Sequence, residues 1–198
     1  MRWLVALVVW AASVAGAVAL SNVVSTSAKS QQQAASFDAG AVTAADSNSL
    51  FHTKNFDKVL GIARSHVGAG ATYDSLVIYP GYLSMTQVKG AREADVYVAA
   101  NGRFDVTDTG SHIGTDPLFT LRHVSADAPA RIARRIATLA HTPLSQLHYM
   151  IYEADPETHH SRWLVYTVQG NPITYFEISG PNGRLSKLGP SGLEPVRG

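Results

Sequence analysis

Asp95–Phe104, DVYVAANGRF, reads as the end of one strand, a tight turn and the start of the next. Asn101-Gly102 supplies the residue pair that a two-residue hairpin favours, because both of its central positions take positive φ. The same grammar returns near the C-terminus, where TYFEIS (174–179) leads through Pro181-Asn182-Gly183-Arg184 to Leu185. In both places Asn-Gly is followed by Arg and then an apolar residue. Two turns of one design predict that the chain is written twice.

Working outward, each turn closes a run of four strand signals. The first set is Leu76–Tyr79, Leu83–Val88, Ala94–Ala99 and Phe104–Thr107. The second is Leu147–Tyr152, Trp163–Val168, Thr174–Ser179 and Leu185–Leu188. All are short, rich in β-branched and aromatic residues and separated by turn residues. A helix signal precedes each set. Between about Ser49 and Val67, Phe56, Val59, Leu60, Ala63 and Val67 form one apolar stripe, ended by Gly68 and Gly70. The second helix starts near Ser125 or Asp127 as cap, with Pro129 in its first turn and Pro143 beyond its end. Ile132, Ala133, Ile136, Leu139 and Ala140 form its apolar face. The expected fold class is α+β, with two repeats of one helix packed on a four-stranded antiparallel sheet. The repeats span 49–115 and 116–198 and meet through the Gly110–Pro117 loop.

Ahead of them, Trp3–Leu20 (WLVALVVWAASVAGAVAL) carries no charge and follows Arg2. Its length approaches that of a membrane-spanning helix, whereas Ala17-Val18-Ala19 fits a signal-peptide cleavage site. Residues 1–24 are therefore read as a membrane anchor or a signal peptide, and either places the rest outside the cytoplasm. The alternatives are a single-pass membrane protein held through residues 3–20 and a protein secreted after cleavage near Ala19. Residues 25–48, rich in Ser, Ala and Gln, read as a flexible tether.

Composition narrows function further. The 198 residues carry 16 Lys+Arg against 15 Asp+Glu, which disfavours a nucleic-acid partner. With no Cys there is no disulfide framework, thiolate catalysis or Cys-based metal site. Neither G-x-S-x-G nor S-x-x-K occurs, and Gly68-Ala69-Gly70 is too short for a phosphate loop. No catalytic residue, cofactor or metal is assigned.

The second copy, Ile132–Leu188, resembles a PepSY domain through its helix IARRIATLA, the strands RWLVYTV and TYFEIS, and the turn PNGRL. The first copy resembles it through DVYVAANGRF. Two such units in series are also similar to the tandem architecture of the β-lactamase inhibitor protein. The resemblance implies an extracytoplasmic binding or inhibitory module and brings no catalytic residues.

Candidate binding residues are Tyr79 and Tyr82, which flank the Pro80-Gly81 turn and are expected to point outward, and Arg131, Arg134 and Arg135. The three arginines are expected on the helix face opposite the apolar stripe, with Arg122 and His123 preceding the helix, where a basic patch would dock an anionic head group or an acidic partner surface. His159 and His160, in DPETHHS beside Asp155 and Glu157, are weak metal candidates, since their spacing matches no zinc motif. Asp105, Asp108 and Asp116 flank a Gly-, Ser- and Thr-rich loop, where oxygen ligands for calcium compete with ordinary turn chemistry. The expected function is a non-catalytic, regulatory or inhibitory module recognising a cell-envelope protein or peptide. The alternatives are a hydrolase with a fold-assembled His/Asp site and a structural envelope component.

Overall fold

The computed structural model describes residues 42–112, 114–155, 157–168, 175–179, 183–189 and 192–196. The Trp3–Leu20 run, most of the expected tether and Asn182 lie outside the described residues. Among the described residues, no helix is long and apolar enough to cross a membrane.

Helix α1 (Thr53–Val67) buries Phe56, Val59, Leu60 and Ala63, the i, i+3, i+4, i+7 stripe that the sequence announces. Gly68 ends it at φ 85° while its N–H bonds the carbonyl of Arg64. The chain enters α1 later than Ser49, because the preceding residues form turns of their own. Leu50 donates its N–H to the Pro80 carbonyl, and Ala44, Leu50 and Phe51 are buried. Strands β1 (Thr72–Ile78), β2 (Tyr82–Lys89), β3 (Arg92–Ala99) and β4 (Phe104–Ser111) follow as an antiparallel meander. Asn101-Gly102 lies in the β3–β4 turn, but the connection runs over residues 100–103 and of the pair only Gly102, at φ 97°, takes positive φ, while the Asn101 side chain accepts from the Arg103 N–H.

Strand β5 (Phe119–Thr120) and a short 3-10 turn (Leu121–His123) lead into α2 (Ala128–Leu139). The cap of α2 departs from expectation. Asp127 occupies the N-cap position, but its carboxylate accepts from the Ser125 hydroxyl and Arg131 and makes no capping bond. Then come β6 (Leu147–Ala154), β7 (Ser161–Thr167), β8 (Tyr175–Ser179), β9 (Leu185–Gly189) and β10 (Gly192–Pro195).

The expectation of two separate helix-on-four-strand repeats is overturned. The described strands form one 10-stranded sheet in the order β10-β9-β8-β7-β6-β1-β2-β3-β4, with β5 added on β1. The joint is β1 against β6, with Leu76 opposite Tyr152 and Ile78 opposite Met150. Separate units would each leave an edge strand with unpaired N–H and C=O groups, and β1–β6 pairing removes both edges. Strand parity in the sequence identifies which side chains share a face but not the partner of a terminal strand.

One core follows from one sheet. Leu76, Ile78, Leu83, Met85, Val96, Val98, Met150, Trp163, Val165, Phe176 and Ile178 form a single buried cluster with the apolar stripes of α1 and α2. At roughly 25 cal/mol per Å² of apolar surface, this burial is the largest favourable contribution to the fold.

Candidate functional site

Where α2 begins, its packing on β6–β8 leaves a cavity of about 500 Å³. Aromatic and aliphatic side chains line it from the core: Phe119, Tyr152, Trp163, Ile132 and Ile178, each no more than 6% exposed. The Tyr152 ring meets Phe119 edge-on with centroids 4.8 Å apart and Trp163 at 4.9 Å, which fixes these rings against one another. Around them lie Arg131, Arg135, His123, His159 and His160. No Asp, Glu or Lys is among the described lining residues.

Arg131 and Arg135 reach the cavity because they lie one turn apart on α2. Each has part of its guanidinium held in place. Arg131 Nη1 is 3.1 Å from Asp127 Oδ2, and Arg135 Nη1 donates to the Gly183 carbonyl at 2.8 Å. Arg134, expected on the same face, is exposed and is not among the lining residues. One residue step along a helix turns about 100°, so Arg134 projects away from Arg135 despite being its neighbour.

His159 and His160 both line the cavity although adjacent strand residues alternate faces. They belong to the loop joining β6 to β7, where His159 takes φ 57°, a left-handed conformation unusual for a residue with a side chain. Asp155 organises this loop. Its Oδ1 accepts from the N–H groups of Glu157 and Thr158 and from the Thr158 hydroxyl. The Thr158 N–H bond leads the effects that hold the Asp155 carboxyl below the usual carboxylate range. Arg162 anchors the loop base, bonding Glu153 Oε1 at 2.6 Å and Asp155 Oδ2 at 3.0 Å. His123 is placed from the other side, where Arg64 donates to the carbonyls of Leu121 and Val124.

Tyr79 and Tyr82 lie elsewhere. Their rings stack at 4.4 Å, and Tyr82 is only 5% exposed, so they do not form an outward-pointing pair. They begin a row that continues through Tyr149, Tyr166 and Tyr175, with successive centroids 5.3, 4.6 and 5.4 Å apart. This row crosses the β1–β6 joint on the side opposite Met150 and Tyr152, because Tyr149 and Ile151 alternate with those residues along β6. Burial pushes the Tyr149 phenol up to about 12, with Tyr166 and Tyr79 adding to the effect. Burial likewise raises Tyr79 and Tyr166.

The aspartates expected around the β4 loop are dispersed. Asp108 pairs with Arg92, and Asp105 accepts from the Val106 N–H. Asp116 lies near Asp74, whose carboxyl is pushed up by burial first and then by Asp116 and Glu93. Among the described residues, no group of three His, Asp or Glu is arranged to hold a metal. The Ser125 hydroxyl is engaged by Asp127, and the described Ser–His contact is between Ser65 and His66 on α1, away from the cavity.

No family model, curated protein or solved structure matches the chain. The site therefore rests on its own geometry. Sequence reasoning placed His123 beside the arginines, but it missed Phe119 and read Tyr152 and Trp163 as strand and core formers. One signal was available for the arginines: Arg131 and Arg135 have i, i+4 spacing and Arg135 borders the apolar stripe.

Proposed function

We propose that this protein is a non-catalytic binding module of the cell envelope and that it receives a peptide, or a segment of a partner protein, in the cavity between α2 and β6–β8. The observation that carries the reading is the cavity itself: about 500 Å³, with a buried aromatic floor and polar groups converging from α2 and two loops. The aromatic and aliphatic side chains take an apolar side chain of the ligand, while Arg and His N–H groups orient its backbone or polar ends. The charge-free Trp3–Leu20 run supports the envelope location, through an anchor or an export signal. The PepSY-like pattern of Ile132–Leu188 supports a regulatory or inhibitory outcome of binding. No cofactor or metal has a role in this reading.

The test is capture from envelope extract by the immobilised full chain, alongside Ser161→Trp. Ser161 lines the cavity at the start of β7 and is half-buried, so an indole there fills the cavity without replacing a core residue. The expected result is a partner retained in near-stoichiometric amount by the parent and lost from Ser161→Trp, with both melting alike. Equal retention by the two would place binding away from the cavity and defeat the reading.

A further inference from the structure

We infer that the cavity is a receptor for carboxylates and that its ligand is an acidic peptide segment carrying a large apolar or aromatic side chain. This rests on the cavity reading above and adds the ligand's chemistry to it.

Charge composition is the first support. Two guanidinium groups and three imidazoles face one 500 Å³ space, and no carboxylate or Lys is among its described lining. Asp127 touches the group only by holding one arm of Arg131. Carboxylates pair with these donors through charge-assisted bonds, which are stronger than the neutral bonds an amide ligand would make. The second support is positional. The planar fork of a guanidinium matches a carboxylate in two parallel hydrogen bonds, and each arginine spends only its Nη1 on a described partner. Arg131 and Arg135 therefore present their remaining donors from positions already fixed by Asp127 and Gly183.

The third support is the loop. Its left-handed turn at His159 brings two consecutive histidines to one cavity, at a conformational cost that the Asp155 network offsets. Asp155 and Arg162 are positioning residues in this arrangement. The buried Trp163 and Tyr152 rings then favour an apolar group between the acidic ends. A membrane headgroup fits less well, because the basic residues surround a recessed cavity with a buried aromatic floor, which a bilayer surface does not fill.

The experiment titrates the full chain with the blocked tripeptide Glu-Phe-Asp and with its neutral counterpart Gln-Phe-Asn. The variants are Arg131→Gln, Arg135→Gln, Arg135→Lys and Arg134→Gln. The acidic peptide is expected to bind at least ~10-fold more tightly than the neutral one, the effect of one or more hydrogen bonds to a charged group. Arg131→Gln and Arg135→Gln are expected to abolish that preference. Arg135→Lys keeps part of it, because charge is retained and the fork is lost, and Arg134→Gln leaves it intact. Equal binding of the two peptides, still blocked by Ser161→Trp, would overturn the charge inference and leave the cavity reading standing. Binding of neither peptide would overturn the inferred ligand, as would a preference for vesicles of phosphatidylglycerol over the acidic peptide. Peptide binding that Ser161→Trp does not block would overturn both readings.

Discussion

Single side chains show how charge is divided in this protein. On β6, Tyr152 faces the cavity while Glu153 faces the other way to meet Arg162. The carboxylates of Asp116, Glu93 and Glu153 each act on that of Asp74, and none of the four is among the described lining of the cavity. Asp74 bears the consequence: burial, then Asp116 and Glu93, raise its carboxyl above the ordinary value, with His112 opposing. A raised carboxyl favours folding while it is protonated, and that contribution is lost as pH climbs through its folded value. Asp74→Asn is therefore expected to melt at a higher temperature than the parent at neutral pH. The gap should close on acidification into the range where Asp is protonated in both states. Thermal unfolding followed by circular dichroism across that range checks it; a variant less stable at neutral pH would contradict the assignment. At this same scale the sequence singled out Arg131, Arg135, His159 and His160, but as two unrelated features. Residues 24 or more positions apart meet only once the sheet sets α2 over β6–β8, and no local periodicity encodes that distance.

Elements were more legible than their assembly. Both helical stripes and most strands follow from local patterns, because apolar spacing and turn residues act within a few positions. Strand β5, two residues long, and β10, with Gly192 and Pro195 at its ends, have too little pattern to be seen. The pairing of β1 with β6 escaped for another reason: it depends on which edges meet. The tyrosine row reinforces that joint. Tyr79, just beyond β1, packs against Tyr149 on β6, and each ring pair contributes about 0.5–1.5 kcal/mol beyond area burial. Tyr149→Ala, which removes two of these contacts, is expected to cost about 2–4 kcal/mol in urea unfolding, and Tyr149→Phe much less. The phenol adds a pH signature. With Tyr149 raised to about 12 in the folded state, its contribution is complete below about pH 10 and is lost as pH rises toward 12. Alkaline destabilisation should be shallower in Tyr149→Phe; identical pH dependence in parent and variant would remove Tyr149 from the explanation.

At the scale of the whole molecule, a single antiparallel sheet gives the two faces different work. One face packs the helices and, where α2 leaves space at its start, forms the cavity; the other carries the tyrosine row across the joint. The sequence reading of two repeats leaves open whether they share one sheet. The continuous ladder ties the cavity's strands to those of the first half. The proposal thus puts binding on the helix-covered side, with Arg131 and Arg135 among the candidates the sequence named, and not at Tyr79 and Tyr82, which it also named. Nuclear magnetic resonance of the full chain titrated with the blocked Glu-Phe-Asp peptide tests that assignment most directly. The account expects the Trp163 indole and the Arg131 and Arg135 side-chain N–H signals to move together while the rings of Tyr79, Tyr149 and Tyr166 stay in place. Movement of the tyrosine signals with the cavity signals unchanged would contradict it.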